Sequence, residues 1–162
     1  FLSEKPGFHG AHDPAQMLDP TPAHIHELRE IAGSDPVQYR TKILDWADRA
    51  LPPFQEAFLA RDTRMAFCAM IDTNGYLPVH NKIYSHPQRP GDVTWNTANS
   101  RNRRIFMDET TRNACNSDKP AMLATYRMEL GDKYIPVKNV FVPLSFNGRR
   151  WGNFELAYRD DR

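Results

Sequence analysis

The chain has two cysteines among its 162 residues and a formal net charge of +1. Two cysteines, Cys68 and Cys115, make neither a disulfide framework nor a CxxC motif. They read as free thiols, with Cys68 buried inside an apolar run, and free thiols favour a reducing compartment. A net charge near zero gives no electrostatic case for nucleic acid or a membrane surface. No apolar run approaches the ~20 residues that a membrane-spanning helix requires. No GxSxG, P-loop, HExxH or GxGxxG pattern occurs, so no enzyme class is indicated. The start, Phe1-Leu2-Ser3-Glu4-Lys5, has no signal-peptide character and no methionine. It reads as part of a longer or processed chain, with room for membrane segments outside it.

What remains is ordinary globular composition, 40% apolar and 25% charged, in a length that suits one domain. The central stretch is Met65 to Asn81, MAFCAMIDTNGYLPVHN. It is apolar to Ile71, breaks at Asp72-Thr73-Asn74-Gly75 and resumes at Tyr76. Asn-Gly between apolar runs is a strong hairpin signal, because both residues tolerate positive φ. Two antiparallel strands are therefore predicted, Met65 to Ile71 and Gly75 to about His80. The break lacks the further ligands of a twelve-residue calcium loop, so Asp72 reads as a turn residue that bonds the backbone.

Residues 1–22 read as an arm or linker, and 23–162 as one domain. His9, His12, His24 and His26 fall short of a metal site, which needs three or four convergent ligands. A short helix is predicted over Ala23 to Ala32, with Thr21 as cap and Pro22 first. A second starts at Asp35-Pro36, with Gln38 completing a capping-box spacing and Val37, Arg40, Leu44, Ala47 and Leu51 at helical period. Pro52-Pro53 is predicted to interrupt it, with further turns over Phe54 to Ala60. Asn81 to Thr111 is long, polar and without period, a length that is usually functional or hides short helices. Helices are predicted over Arg101 to Met107 and Asp108 to Asn116. Three strands follow, Met122 to Glu129, Tyr134 to Phe146 with a bulge, and Trp151 to Tyr158. Their turns, Gly131-Asp132 and Asn147-Gly148, make them a meander. The fold expected is α+β: one five-stranded antiparallel sheet with N-terminal helices, and short helices covering one face, the order of elements in PAS and Cache domains.

Arg101, Arg103 and Arg104 form a basic cluster beside Trp95 and Phe106, followed at once by Asp108 and Glu109. Either ion pairs pin the connection, or one arginine enters a pocket and grips a carboxylate or phosphate. Nucleic acid would need a larger positive balance. His80 and Asn81 end the second predicted strand, where a pocket would open. His80 reads as a hydrogen-bond partner or a ligand contact, able to titrate near neutrality. Trp95, Tyr126, Trp151 and Tyr158 serve as core or pocket wall.

The chain resembles a known family in GSDPVQYRTK (Gly33 to Lys42), LPPFQEAFLA (Leu51 to Ala60), Asp72, NGYLPVHN (Asn74 to Asn81) and TWN (Thr94 to Asn96). The likeness continues through ANSRNRRIF (Ala98 to Phe106), Thr125-Tyr126-Arg127, VPLSFNGRRWG (Val142 to Gly152) and Ala157-Tyr158. It is similar to the PAS/Cache-like sensory region of certain proteobacterial methyl-accepting chemotaxis proteins. The chain departs from that pattern in the segment Glu109 to Arg112, and at Ser100, Met128, Arg150 and Glu155, the last standing where arginine is expected. The resemblance implies a sensor of a small polar molecule that works as a homodimer joined to a signalling coiled coil, and a grip by one of the arginines would make that molecule an anion. Such a domain would lie on the cytoplasmic side of the membrane, with a periplasmic position as the alternative. The ligand contacts it points to are His80, Asn81, Trp95, Asn99, Arg101, Arg104 and Tyr126. No cofactor and no nucleic-acid partner are expected. Two other readings stand beside it. One is a ligand-free interaction module whose pocket is filled by Trp95, Phe106 and Trp151. The other is a haem- or metal-linked sensor using His80 or His86.

Overall fold

Period-two alternation and short turns make the last third of the chain a meander, as expected. The computed structural model describes residues 28–159. The expected arm, the four N-terminal histidines and the beginning of the first expected helix lie outside the described residues. Strands β6 (Met122–Leu130), β7 (Lys133–Phe146) and β8 (Arg149–Arg159) pair antiparallel in sequence order. Gly131, Asn147 and Gly148 take the positive φ that their turns demand. The register shift expected in β7 falls between Leu144 and Ser145. Strand β3 (Met65–Asp72) adds antiparallel to β8, giving a four-stranded sheet in the order β3-β8-β7-β6.

The predicted hairpin is not formed. Asp72 does bond the backbone: its Oδ1 accepts from the amides of Asn74 (2.8 Å) and Tyr76 (2.9 Å). Beyond this turn the chain leaves the sheet. Only Tyr76–Leu77 is a strand, β4, and it pairs with β5 (Arg104–Ile105) instead of β3. Pro78, which has no amide to give a ladder, stops any longer strand. A fifth strand is therefore not part of the main sheet. Gly75 is pressed against the carbonyl of Phe106, where a Cβ would lie 2.5 Å from the oxygen.

The N-terminal helices also differ from expectation. Arg29–Glu30 (β1) and Tyr39–Arg40 (β2) form a small antiparallel ladder, and helix α1 begins only at Leu44 and runs to Leu59. The local capping signal at Asp35 loses to long-range bonds. The side-chain amide of Gln38 donates to the carbonyl of Asn102 (2.9 Å), and the Tyr39 amide to that of Arg103 (2.7 Å). Pro52 and Pro53 lie within α1 without ending it. The amides they remove would have met the carbonyls of Asp48 and Arg49, both exposed residues. Ala47, Leu51, Phe54 and Phe58 meanwhile keep α1 on one apolar face of the sheet, against Cys68, Met70, Trp151 and Phe154.

The other face carries Phe67, Ala69, Ile71, Met128 and Val137. The connection covers it with a 3-10 turn (Lys82–Tyr84), helix α2 (Val93–Asn99) and helix α3 (Glu109–Cys115). Helix α3 sits where predicted, capped by Asp108, whose Oδ1 accepts from the Thr111 amide at 2.8 Å. The helix expected over Arg101 to Met107 is absent. That segment is extended, holding β5, and the helix lies just before it with Asp92 as cap. Arg150 fixes the end of α3 through the carbonyls of Ala114 (3.1 Å) and Ser117 (3.2 Å).

Gly152 faces Asp72 across β3 and β8. A Cβ there would collide with the Ile71 carbonyl and lie 2.6 Å from Asp72 Cα. These are backbone atoms of a paired strand, so no rotamer change relieves the clash. Gly152→Ala should cost about 3 kcal/mol, the upper end of ordinary overpacking, read as a lower urea midpoint at unchanged slope.

Candidate functional site

Between the second sheet face and the connection lies a cavity of about 240 Å³. Its floor comes from the sheet: Phe67 and Ile71 of β3, Tyr126 of β6, Asn139 and Phe141 of β7, and Glu155 of β8. Alternation puts Asn139 and Phe141 on the same side of β7, and pairing sets Phe141 opposite Glu155. The roof comes from Leu77, His80, Arg101, Phe106 and the start of α3 with Thr110 and Thr111. Asp108, Arg127 and Tyr134 are exposed residues at its edge, the Arg127 guanidinium lying 5.2 Å from the Tyr134 ring centre.

Of the seven expected contacts, the cavity gathers His80, Arg101 and Tyr126. Arg101 is 7% exposed, and its Nη1 donates to the carbonyls of Glu129 (2.6 Å) and Thr97 (3.3 Å). Its Nε has no partner among the described residues. His80 Nδ1 accepts from the Asn81 amide at 2.8 Å, so the ring proton sits on Nε2. Burial, then Arg101 and Arg104, hold the His80 pKa well below its ordinary value. It is a neutral donor at neutral pH and not the titrating group the sequence suggested. Burial raises the Tyr126 pKa, so its hydroxyl stays protonated.

The other four do not line the cavity. Asn81 is spent on structure: its Oδ1 accepts from the Cys68 amide (2.7 Å) and its Nδ2 donates to Glu56 of α1 (3.1 Å). Trp95 lies outside, beneath the Arg89 guanidinium at 3.7 Å and beside His86. Asn99 donates to the Trp95 carbonyl of its own helix. Arg104 stacks on Phe106 at 4.8 Å, and burial, then Arg101, lower its pKa to about 10. Of the arginine cluster, Arg103 pairs with Asp48 of α1 at 2.8 Å, and Arg101 lines the cavity.

Sequence reasoning missed the acidic side of the site. Glu155 is 6% exposed and Asn139 1%. Asn139 Nδ2 donates to Glu155 Oε2 at 2.9 Å, and no described residue meets Glu155 Oε1 or Asn139 Oδ1. Burial, and secondarily Asp108, push the Glu155 pKa up to about 7 against the partial relief of Asn139. The signal was available: in Trp151 to Tyr158, Glu155 shares a period-two face with Asn153 and Ala157, opposite Phe154 and Leu156. A carboxylate on the inward face of a central strand is unusual.

Cys68 is buried, as the sequence suggested, and its thiol is pushed up to about 12, chiefly by burial, which leaves it inert. Among the described residues no group of three His, Cys, Asp or Glu side chains could hold a metal ion, and no helix is long and apolar enough to cross a membrane. No protein-family model, curated protein or solved structure matches the chain.

The buried carboxylate makes stability depend on pH. Between the ordinary glutamate value of 4.5 and about 7, folded Glu155 holds a proton that the unfolded chain has released. Stability present at acid pH is therefore lost as pH rises through about 7. Glu155→Gln should remove that loss. Above about pH 8 the variant should be more stable than the parent by on the order of 3 kcal/mol, and below about pH 4 the two should nearly coincide. Urea titrations at both pH values check this.

Proposed function

We propose that this chain is a PAS/Cache-like ligand-sensing domain of a bacterial methyl-accepting chemotaxis receptor. It binds a small polar molecule in the cavity between the sheet and the connection. The cavity carries this reading: it is open space of about 240 Å³ whose wall mixes His80, Arg101, Tyr126 and Glu155 with apolar side chains, the make-up of a small-molecule site. A ligand-free interaction module would fill that space with Trp95, Phe106 and Trp151. Of these, only Phe106 lines it; Trp151 belongs to the opposite face and Trp95 lies outside. The sequence likeness from Gly33 to Tyr158 and the order of helix, strand, mixed connection and meander support the receptor family.

The signal runs through adjacent residues. His80 lines the cavity, and Asn81 beside it bonds β3 and Glu56 of α1. Glu56 Oε1 also accepts from the Lys82 amide at 2.9 Å. A ligand that fits one placement of the connection better than another biases α1 by that difference in affinity and no more. The domain works as a homodimer on the cytoplasmic side, its N-terminal helical region passing the bias to the receptor's signalling coiled coil.

A thermal-shift screen against amino acids, organic acids, purines and inorganic anions tests this. A ligand at about a hundred times its dissociation constant stabilises by ~2.7 kcal/mol, a shift of several degrees. Arg101→Ala, checked for retained fold by circular dichroism, should weaken the hit by ~1.5–3 kcal/mol, the loss expected for a charged hydrogen bond. No shift with any compound would overturn ligand sensing in favour of an interaction module.

A further inference from the structure

We infer that two copies of this chain join antiparallel along the open edge of β6, Ala121 to Arg127, about a twofold axis at Ala124, so that their sheets run on as one. This rests on the homodimer of the reading above and names its surface; it does not depend on what the cavity binds. The argument is one of backbone groups. The turn Gly131-Asp132 closes its hairpin on the pair Leu130 and Lys133, and in a two-residue turn that pair is hydrogen-bonded. Alternation then turns the amides and carbonyls of the even-numbered residues of β6 to β7, and those of Leu123, Thr125, Arg127 and Glu129 outward. Glu129 bears out the parity, since its carbonyl accepts from Arg101.

The two edges of the sheet are treated differently. Strand β3 has only β8 beside it, yet the connection answers its outer edge. The Cys68 amide donates to Asn81 Oδ1 at 2.7 Å, and the Ala66 carbonyl accepts from the Tyr84 hydroxyl at 3.2 Å. Strand β6 is answered at one end only. Arg101 holds the Glu129 carbonyl there, and the Thr94 carbonyl of α2 would lie 2.5 Å from a Cβ on Gly131. Among the described residues, nothing bonds the outward amides and carbonyls of Leu123, Thr125 and Arg127. Such an edge is a template for another strand. Leu123 is 60% exposed on it, and no proline or lysine blunts it between Ala121 and Arg127.

Register makes a second copy the occupant. The open edge is bounded by Pro120 on one side and by the Glu129 that Arg101 holds on the other, so its middle is Ala124. Two such edges laid antiparallel about Ala124 set Leu123 opposite Thr125 and Ala121 opposite Arg127. Outward residue meets outward residue, so the open amides and carbonyls pair with one another. No like charges are opposed. Continued by two residues, the same register brings the exposed Lys119 of one copy to Glu129 of the other, an opposite-charge pair at each end. On the cavity face it sets Met122 of one copy beside Tyr126 of the other, and Tyr126 lines the cavity. Each cavity wall is therefore backed by the other copy's strand.

Size-exclusion chromatography of the full chain with light scattering tests the surface. The parent should run at twice the 18.7 kDa chain mass. Thr125→Pro and, as a second variant, Leu123→Lys should halve that mass. The first removes an outward amide that β7 does not use, and the second puts a charge on the edge. Circular dichroism shows that each variant still folds. Ala124→Cys faces itself across the axis in a non-hydrogen-bonded pair, with Cα atoms ~4.5 Å apart. On mild oxidation it should form an intermolecular disulfide at position 124, located by peptide mapping. A dimer that survives both edge variants, or that gives no disulfide at position 124, overturns the β6 surface and leaves a homodimer on another face. A monomeric parent overturns the surface and the homodimer together, and slow deuterium exchange at Leu123, Thr125 and Arg127 in that monomer would assign the edge to residues 1–27 instead. Ligand sensing stands or falls separately, on the thermal-shift screen.

Discussion

The covering of the second sheet face depends on Arg101. The connection that covers that face is too polar to be held by apolar packing alone. Arg101 supplies a different hold: one guanidinium nitrogen reaches the carbonyl of Thr97 at the end of α2 and that of Glu129 in β6. Its ring-facing side lies 5.0 Å from the centre of Phe106, which the Phe106 amide ties to Gly75 at 2.7 Å. Helix, sheet and turn thus meet at one side chain. Burial lowers the Arg101 pKa, against the partial relief of Tyr126, Tyr84 and Glu129. Holding the roof in this way leaves space beneath it and, in the wall, a charge that burial disfavours.

The floor mirrors that imbalance. Glu155 stands in a strand whose other inward positions are Asn153 and Ala157, and a hydrophobic residue there would fill the space and stabilise the sheet. The carboxylate instead raises its own pKa to about 7 and keeps the folded state less stable at neutral pH than it could be. Asn153 is fully used, its Oδ1 accepting from Arg150 at 2.6 Å, so the polarity of this face is not carelessness of packing. Stability withheld at an inward position beside a cavity is the usual mark of a site kept for binding.

The sheet was legible because its signals are local and agree with one another: alternation in β6, β7 and β8, and glycine or asparagine at each turn. Helix α3 was legible for the same reason, through Asp108. The misreadings occur where a local signal competes with a distant partner. Asp35-Pro36 looks like a helix start, yet Gln38 is claimed by Asn102, more than sixty residues on. Asn74-Gly75 does turn the chain, but Tyr76 and Leu77 are claimed by Ile105 and Arg104. Pro52-Pro53 looks like a break, yet the apolar stripe of α1 outweighs two missing amides. In the site, His80, Arg101 and Tyr126 were legible as polar groups beside the connection. Alternation alone marks Glu155 as an inward carboxylate, but its pairing with Asn139 comes from strand register: β7 and β8 must pair before the two side chains meet.

The same register explains why cavity and helix can communicate. Residues 80 and 81 point to opposite purposes, one into the cavity and one into the framework. Asn81 is fully buried and satisfies the Cys68 amide in the middle of β3 with one end and Glu56 of α1 with the other. Replacing it with a residue that bonds only one partner would strand a buried backbone amide or free the connection from α1. Because the two side chains share one peptide unit, His80 cannot shift far without altering a bond that crosses to α1. Gln55, also fully buried, donates to the Val79 carbonyl at 3.3 Å and ties the preceding residue to the same helix. Coupling between the cavity and α1 therefore needs no long pathway: three consecutive residues, Val79 to Asn81, touch the helix, the cavity and the sheet at once.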